Sequence, residues 1–157
     1  MNLYLHMNQL RHKNHIELED SVRYLYPKKN TIMNGEFTKL LFSRNNITMN
    51  GIYLYIPFKV HDVTENNHIR YLITNNHQNI KLKQDLQTVE DQLLKNYMNY
   101  NHIKKKCEYV LANQLISNQI RVYRNNDKHT HDKYVIKISG IWETRDTIGL
   151  TYKILEL

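Results

Sequence analysis

The C-terminal end of the chain constrains the fold most, because it contains two apolar segments joined by a short polar loop. "YVIKISGIW" and "IGLTYKIL" are rich in β-branched and aromatic residues, and "ETRDT" separates them. This pattern predicts a β-hairpin. If the loop closes symmetrically, one face is apolar and carries the cross-strand pairs Ile136–Ile154, Ile138–Tyr152, Gly140–Leu150 and Trp142–Ile148.

The opposite face of this hairpin carries two lysines. Lys137 is expected opposite Lys153, with Ser139 opposite Thr151. Like charges directly across a strand pair destabilise it, so we expect an anionic partner on this face. Gly140 is expected to mark a bulge or a close approach of backbone.

Four further segments have strand character. "EFTKLLF", "GIYLYIPFKV", "HIRYLIT" and "QIRVYR" alternate or are rich in β-branched residues. Alternation predicts inward side chains at Ile52, Leu54, Ile56, Phe58, Val60, Ile120 and Val122. It predicts outward side chains at Tyr53, Tyr55, Lys59, Arg121 and Tyr123. Pro57 indicates an edge or a strand end.

Residues 81–118 change to a period of about 3.6, which predicts helices. The first apolar stripe is Leu82, Leu86, Val89, Leu93 and Tyr97. After a break near "NYNH", the second is Ile103, Cys107, Val110, Leu111 and Leu115. Residues 1–30 form a mainly irregular extension with a short helix expected at "ELEDSVRYLY", ending near Pro27.

Three strands, a helical segment and further strands follow one another in the order typical of an OB fold. The sequence therefore predicts an α+β fold, as one domain over residues 1–157. The expected architecture is an OB-like, mostly antiparallel β-barrel with a helical insertion between the third and fourth strands and a C-terminal β-hairpin. The alternative is an unrelated α+β sheet packed on two helices.

Composition indicates the partner and the compartment. The formal net charge is +7 and the sequence pI is about 9.4, which favours a polyanionic partner. Cys107 is the only cysteine, so an intrachain disulfide and a cysteine-built zinc site are excluded. No signal peptide and no apolar run of about 20 residues is present. A soluble, intracellular protein without membrane contact is expected.

Aromatic and cationic residues interleave on the outward faces. Tyr53, Tyr55, Arg121, Tyr123 and the hairpin lysines belong to this set, together with Lys59. Bases stack on aromatic rings while Lys and Arg contact phosphates, so this combination is typical of single-stranded nucleic-acid binding. The bland alternative is that these residues form an ordinary solvated surface.

The ending "KISGIWETRDTIGLTYKILEL" resembles the C-terminal hairpin, SGIWE followed by GLTYK, of OB-fold single-stranded DNA-binding proteins from large cytoplasmic DNA viruses and cytoplasmic linear yeast plasmids. The resemblance implies cytoplasmic coating of exposed DNA strands during replication, with replication proteins as further partners. The motif carries Lys137, Trp142, Tyr152 and Lys153 as binding positions. An acidic C-terminal tail is lacking, so recruitment through such a tail is not expected. The residues do not distinguish DNA from RNA.

The sequence gives little support for catalysis. Phosphate-loop, dinucleotide-binding, zinc-protease and serine-hydrolase motifs are absent. His129 and His131 lie in the polar stretch "DKHTHD", where a solvated loop is expected rather than a metal site. No cofactor is expected, and Lys104–Lys106 are expected to be solvated. Two other classes stay open: a protein-interaction subunit of a viral or plasmid transcription or capsid assembly, and a small nucleic-acid-modifying enzyme.

Overall fold

A computed structural model describes residues 3–29, 34–67, 69–74, 77, 79–124 and 133–157. Within these residues the protein has a mixed α+β fold of two α-helices and a large, mostly antiparallel sheet. The first strands are β1 (Arg11–His12), β2 (His15–Ile16), β3 (Val22–Tyr24), β4 (Lys28–Lys29), β5 (Glu36–Arg44), β6 (Ile47–Met49), β7 (Ile52–Ile56), β8 (Val60–Asn66) and β9 (Ile69–Thr74). They are followed by α1 (Ile80–Asn101), β10 (Lys106–Glu108), α2 (Val110–Ile116), β11 (Gln119–Arg124), β12 (Tyr134–Glu143) and β13 (Thr147–Glu156).

The predicted C-terminal hairpin is confirmed and forms the centre of the sheet. β12 pairs with β13 along one edge, and along its other edge it pairs with β7 and then with β5. Along the edge that faces away from β12, β13 pairs in parallel with β10 and β11. Strands from both ends of the chain therefore lie beside this hairpin, and "GIYLYI" belongs to the same sheet as the hairpin.

The sheet is open, so the predicted closed barrel is wrong. Its main path runs in the order β3-β5-β12-β13-β11-β9-β8, and among the described residues the two end strands do not pair with each other. α1 follows nine strands in the chain, several of them only two or three residues long, instead of the expected three. The architecture agrees with the alternative expectation, a sheet packed on two helices.

The two helices cover one face of this sheet. α1 and α2 both pack on β13. The stripe predicted for the first helix is confirmed, because Leu86, Val89, Leu93 and Tyr97 are buried. α1 ends where His102 adopts a left-handed conformation with φ 53°. We call this helix-covered side the inner face and the opposite side the outer face.

The second helix is much shorter than predicted. Ile103 lies in the connection after α1, and Cys107 lies in β10, where it pairs with Ile148. A buried carboxylate determines where α2 begins, because Glu90 accepts hydrogen bonds from the backbone N–H groups of Leu111 and Ala112, both at 2.9 Å. Burial is the main cause that raises the pKa of Glu90. Because this contact joins residues that are 21 positions apart, no local sequence pattern indicates where α2 begins.

The short helix expected near Pro27 is also different. Residues Glu19–Ser21 form a single 3-10 turn, and the chain then continues as the edge strand β3. Strand β7 ends at Ile56, directly before Pro57, as the proline indicated. None of the helices in the described part of the chain has the length and apolar character needed to cross a bilayer.

Candidate functional site

Strand alternation places the predicted tyrosines of β7 on the outer face. Ile52, Leu54 and Ile56 are fully buried on the inner face. Tyr53 and Tyr55 lie between them in sequence, so they point to the other side and are half-buried. The period-two pattern of this segment therefore predicted its faces correctly.

The same alternation orients β11 and the hairpin. Ile120 and Val122 are buried, which leaves Arg121 exposed and Tyr123 half-buried on the outer face. In the hairpin, the buried residues Ile136, Ile138 and Ile154 flank Lys137 and Lys153. Lys137 pairs directly with Lys153, as predicted, and both point outward.

Sheet order brings these outward residues together in a cationic row of Lys137, Lys153 and Arg121. Lys137 pairs with Tyr53 on one side and with Lys153 on the other. Its Nζ lies 5.6 Å from the centroid of the Tyr53 ring. The Lys153 Nζ and the Arg121 guanidinium carbon lie 5.2 and 4.8 Å from the centroid of the Tyr123 ring. These distances are typical of cation–π contacts.

A second row runs beside the first. Strand pairing aligns Tyr55, Val135, Leu155 and Tyr123 in this order, and we call these four residues the aromatic row. Val135, Leu155 and Tyr123 each lie two residues from a member of the cationic row along the same strand, which separates the rows by about 6.6 Å. Tyr55 lies two residues from Tyr53, which pairs with Lys137. Val135 is buried, so the outer face presents the half-buried side chains of Tyr55, Leu155 and Tyr123 next to a stripe of positive charge.

The N-terminal segment extends the aromatic row, which sequence reasoning missed. Leu5 forms a parallel bridge with Leu54, and its backbone exchanges hydrogen bonds of 2.7 and 2.8 Å with Tyr53 and Tyr55. The rings of Tyr4 and His6 consequently lie 5.8 and 5.3 Å from the Tyr55 ring. The short alternation in "YLH" was the only local signal for this placement.

Tyr71 was also missed. It pairs with Arg121 across β9 and β11, so it lies on the outer face at the far end of the cationic row. The segment "HIRYLIT" was predicted as a strand, but a strand with few buried side chains gives a weak indication of its faces. The site thus extends over five strands, from β7 to β9.

The cations of this face differ in their partners from three other cations with low exposure, Arg11, Arg70 and Lys105. Arg11, Arg70 and Lys105 form salt bridges with Asp85, Glu156 and Glu143 at 2.6, 2.9 and 2.5 Å. Among the described residues, no carboxylate forms a salt bridge with any member of the cationic row. Three neighbouring positive charges without a described counter-ion favour binding of an external anion.

A β-bulge moves Trp142 away from its predicted position. The pairing of β12 with β13 shifts between Ile138 and Gly140. As a result Trp142 pairs with Gly149 instead of Ile148, and the neighbouring Ile141 becomes the buried residue. The prediction that Trp142 lies on the apolar inner face is wrong, because the extra residue in the bulge reverses the alternation.

Tyr152 lies on the inner face, so the structure separates it from the other predicted binding residues. It pairs with the buried Ile138, and its hydroxyl donates a 2.6 Å hydrogen bond to Gln114 Oε1 of α2. Burial raises the pKa of Tyr152, and the carboxylate of Glu90 adds to this effect. Its position is that of a residue that attaches α2 to the sheet.

Lys59 is exposed but lies beyond the end of β7. Its backbone N–H donates to Asn79 Oδ1 at 2.8 Å, and Asn79 Nδ2 donates to the Lys59 carbonyl at 3.0 Å. The start of α1, rather than the sheet, therefore fixes this residue. The expectation that the lysine run of residues 104–106 is solvated is wrong for Lys105, which is half-buried and forms a salt bridge with Glu143. The "DKHTHD" segment lies outside the described residues.

The two rows can bind a planar, anionic ligand. Aromatic faces attract planar rings through dispersion and stacking, and Lys and Arg attract anions through charge-assisted hydrogen bonds. Comparisons with protein-family models, curated proteins and solved structures found no match to this chain.

Proposed function

We propose that the protein binds single-stranded nucleic acid on the outer face of its sheet, as the resemblance of its C-terminal hairpin suggests. The observation that carries this proposal is the pair of parallel rows, one aromatic and one cationic. A single strand exposes base faces on one side and phosphates on the other, so it matches both rows at once. The proposed role is to coat exposed strands without altering them chemically.

The dimensions of the face support this proposal. Four strands, β7, β12, β13 and β11, carry the two rows, and neighbouring strands lie about 4.8 Å apart. The aromatic row, on all four strands, is therefore about 14 Å long, which corresponds to about four nucleotides at the stacked rise of about 3.4 Å. The cationic row, on β12, β13 and β11, is about 10 Å long. Sequence-independent binding is expected, since every base has a π-face that can stack on tyrosine.

Equilibrium binding to labelled single-stranded DNA, single-stranded RNA and duplex DNA of equal length tests the proposal. Base pairing hides the base faces inside a duplex, so we expect at least a tenfold preference for single strands, about 1.4 kcal/mol. Each phosphate contact contributes about 0.7 to the slope of log K against log salt. With three cations, the slope should therefore be negative, with a magnitude of at least about 2.

Equal affinity for duplex and single strands would mean that only charge is recognised, which would contradict the proposal. Absence of binding to every nucleic acid at low salt would also contradict it. That second outcome would favour the alternative in which the outward tyrosines and Arg121 contact a protein, because Tyr and Arg are enriched in protein interfaces.

A further inference from the structure

A second group of aromatic residues lies on the outer face at the other end of β12. The bulge at residues 138–140 places Trp142 on the same face as Lys137, and Trp142 pairs with Phe37 of β5. Lys28 of β4 pairs with Phe37 on the far side. Lys39 of β5 pairs with Gly140. Two rings and two lysines thus converge where β4, β5 and β12 meet.

Both rings lie on glycines. A Cβ atom added to Gly149 would fall 2.8 Å from the Trp142 Nε1 and nearer still to two carbons of the indole. A Cβ atom added to Gly140 would fall 2.8 Å from the Phe37 Cζ. Trp142 and Phe37 are only half-buried. One side of each ring therefore covers glycine backbone, and part of each side chain stays open to solvent.

The polar groups around the rings favour an anionic ligand. Lys28 is exposed and Lys39 is half-buried, and no salt bridge to a described carboxylate involves either of them. The acidic neighbours in sequence, Glu36 and Glu143, belong to the other face by alternation. Glu143 is occupied there by Lys105 and by the hydroxyl of Tyr97.

We infer that Phe37 and Trp142 form a second base-stacking subsite for the same single strand, and that Lys28 and Lys39 contact its phosphates. This inference rests on the proposed function and extends it. Lys137 and Trp142 are five residues apart along β12, or about 15 Å after allowance for the bulge. A strand that occupies both subsites must therefore span about four to five nucleotides beyond the first contact.

Only small side chains separate the two subsites. Gly140 pairs with Thr151, and Ser139 occupies the bulge beside them. None of these residues projects far enough to block a strand that passes from the cationic row to Phe37. The bulge therefore has two consequences for this face. It places Trp142 on the outer face, and it places small side chains next to the Trp142 ring.

The fluorescence of Trp142 reports on this subsite directly, because it is the only tryptophan in the chain. A base that stacks on the indole should quench its emission. We expect a single-stranded oligonucleotide of about 15 nucleotides, long enough for both subsites at about 3.4 Å per nucleotide, to quench Trp142. One of about three nucleotides should bind the cationic row, measured by anisotropy of a fluorescent label, with much less quenching.

The variant Lys28→Ala with Lys39→Ala tests the phosphate contacts. For the long oligonucleotide it should lower the salt slope by about 1.4 and the affinity by roughly tenfold at about 0.15 M salt. Binding of the short oligonucleotide should be unchanged. Lys81→Ala with Lys95→Ala is the matched control, since it removes the same charge from exposed positions of α1.

Binding of the long oligonucleotide without quenching of Trp142, and with equal effects of the two double variants, would overturn the inference but leave the proposed function intact. Absence of any anisotropy change with either oligonucleotide at low salt would overturn both. Strong quenching with a reduced slope only in the Lys28 and Lys39 variant would support the second subsite.

Discussion

Removal of both hairpin lysines, Lys137→Ala with Lys153→Ala, gives the sharpest test of the outer face. If each lysine contacts one phosphate, the slope of log K against log salt should fall in magnitude by about 1.4. At about 0.15 M salt this corresponds to roughly a tenfold loss of affinity, or about 1.4 kcal/mol. The loss should be similar for all base sequences, because phosphates carry no sequence information.

Stability should change little in this variant, because two effects oppose each other. Each lysine lies over a tyrosine ring, and each exposed cation–π contact contributes about 0.5 to 1 kcal/mol. Relief of the repulsion between the directly paired lysines returns up to about 1 kcal/mol. The net cost is therefore about 0 to 2 kcal/mol, and the melting temperature should fall by no more than about 8 °C, at about 2 to 4 °C per kcal/mol for a chain of this size.

The assay is anisotropy of a labelled single strand at several salt concentrations, with thermal melting followed in parallel. The variant Lys81→Ala with Lys95→Ala serves again as the charge-matched control. Wild-type affinity together with a wild-type salt slope in the hairpin variant would refute the assignment of this face to phosphate. A large loss of stability would show instead that the lysines are needed for folding.

Three further outcomes are expected. Tyr53→Ala should weaken single-strand binding by roughly 1 to 3 kcal/mol with an unchanged salt slope, because stacking releases few counter-ions. Tyr26→Ala, in an exposed loop, should have no effect on binding. Equal losses of affinity for the two variants in binding titrations would contradict the stacking role of Tyr53. Gly149→Ala should lower the free energy of unfolding in chemical denaturation by about 1 to 3 kcal/mol and change the fluorescence emission of Trp142, because the new methyl group overlaps the indole. An unchanged denaturation midpoint and an unchanged emission spectrum would contradict this packing. Burial raises the pKa of Glu90, so its contribution to stability is full below the ordinary Glu pKa of about 4.3 and is lost as pH rises through the raised value. The free energy of unfolding of the wild type relative to Glu90→Gln should therefore decline as pH rises above the ordinary Glu pKa, and a difference that is constant with pH would contradict this.

Residues whose environment depends on local periodicity were predicted well from the sequence. Alternation at period two identified the buried faces of β7, β11 and most of β12, and the 3.6 period identified the buried stripe of α1. The pairs Ile136–Ile154 and Lys137–Lys153 follow from the hairpin alone. Such patterns are reliable because a side chain's direction is fixed by its own backbone conformation.

Errors arose where a contact between distant segments overrides the local pattern. The sequence around Cys107 fits a helical stripe, yet pairing with β13 makes this segment a strand. The bulge at residues 138–140 shifts Trp142 by one position, and the absence of side chains at Gly149 and Gly140 leaves room for the rings of Trp142 and Phe37. Closure into a barrel depends on the two end strands of the sheet, which no single segment specifies.

The sequence by itself therefore determined which residues point outward on β7, on β11 and on the hairpin before its bulge, and that these residues include tyrosines, lysines and an arginine. Only the tertiary structure decided that Tyr53 and Arg121 lie beside the pair Lys137–Lys153. Their proximity depends on the order β7-β12-β13-β11, in which β12 and β13 separate strands that are far apart in the chain. Strand order is set by the summed burial of the whole inner face against α1 and α2, a quantity that no local period contains.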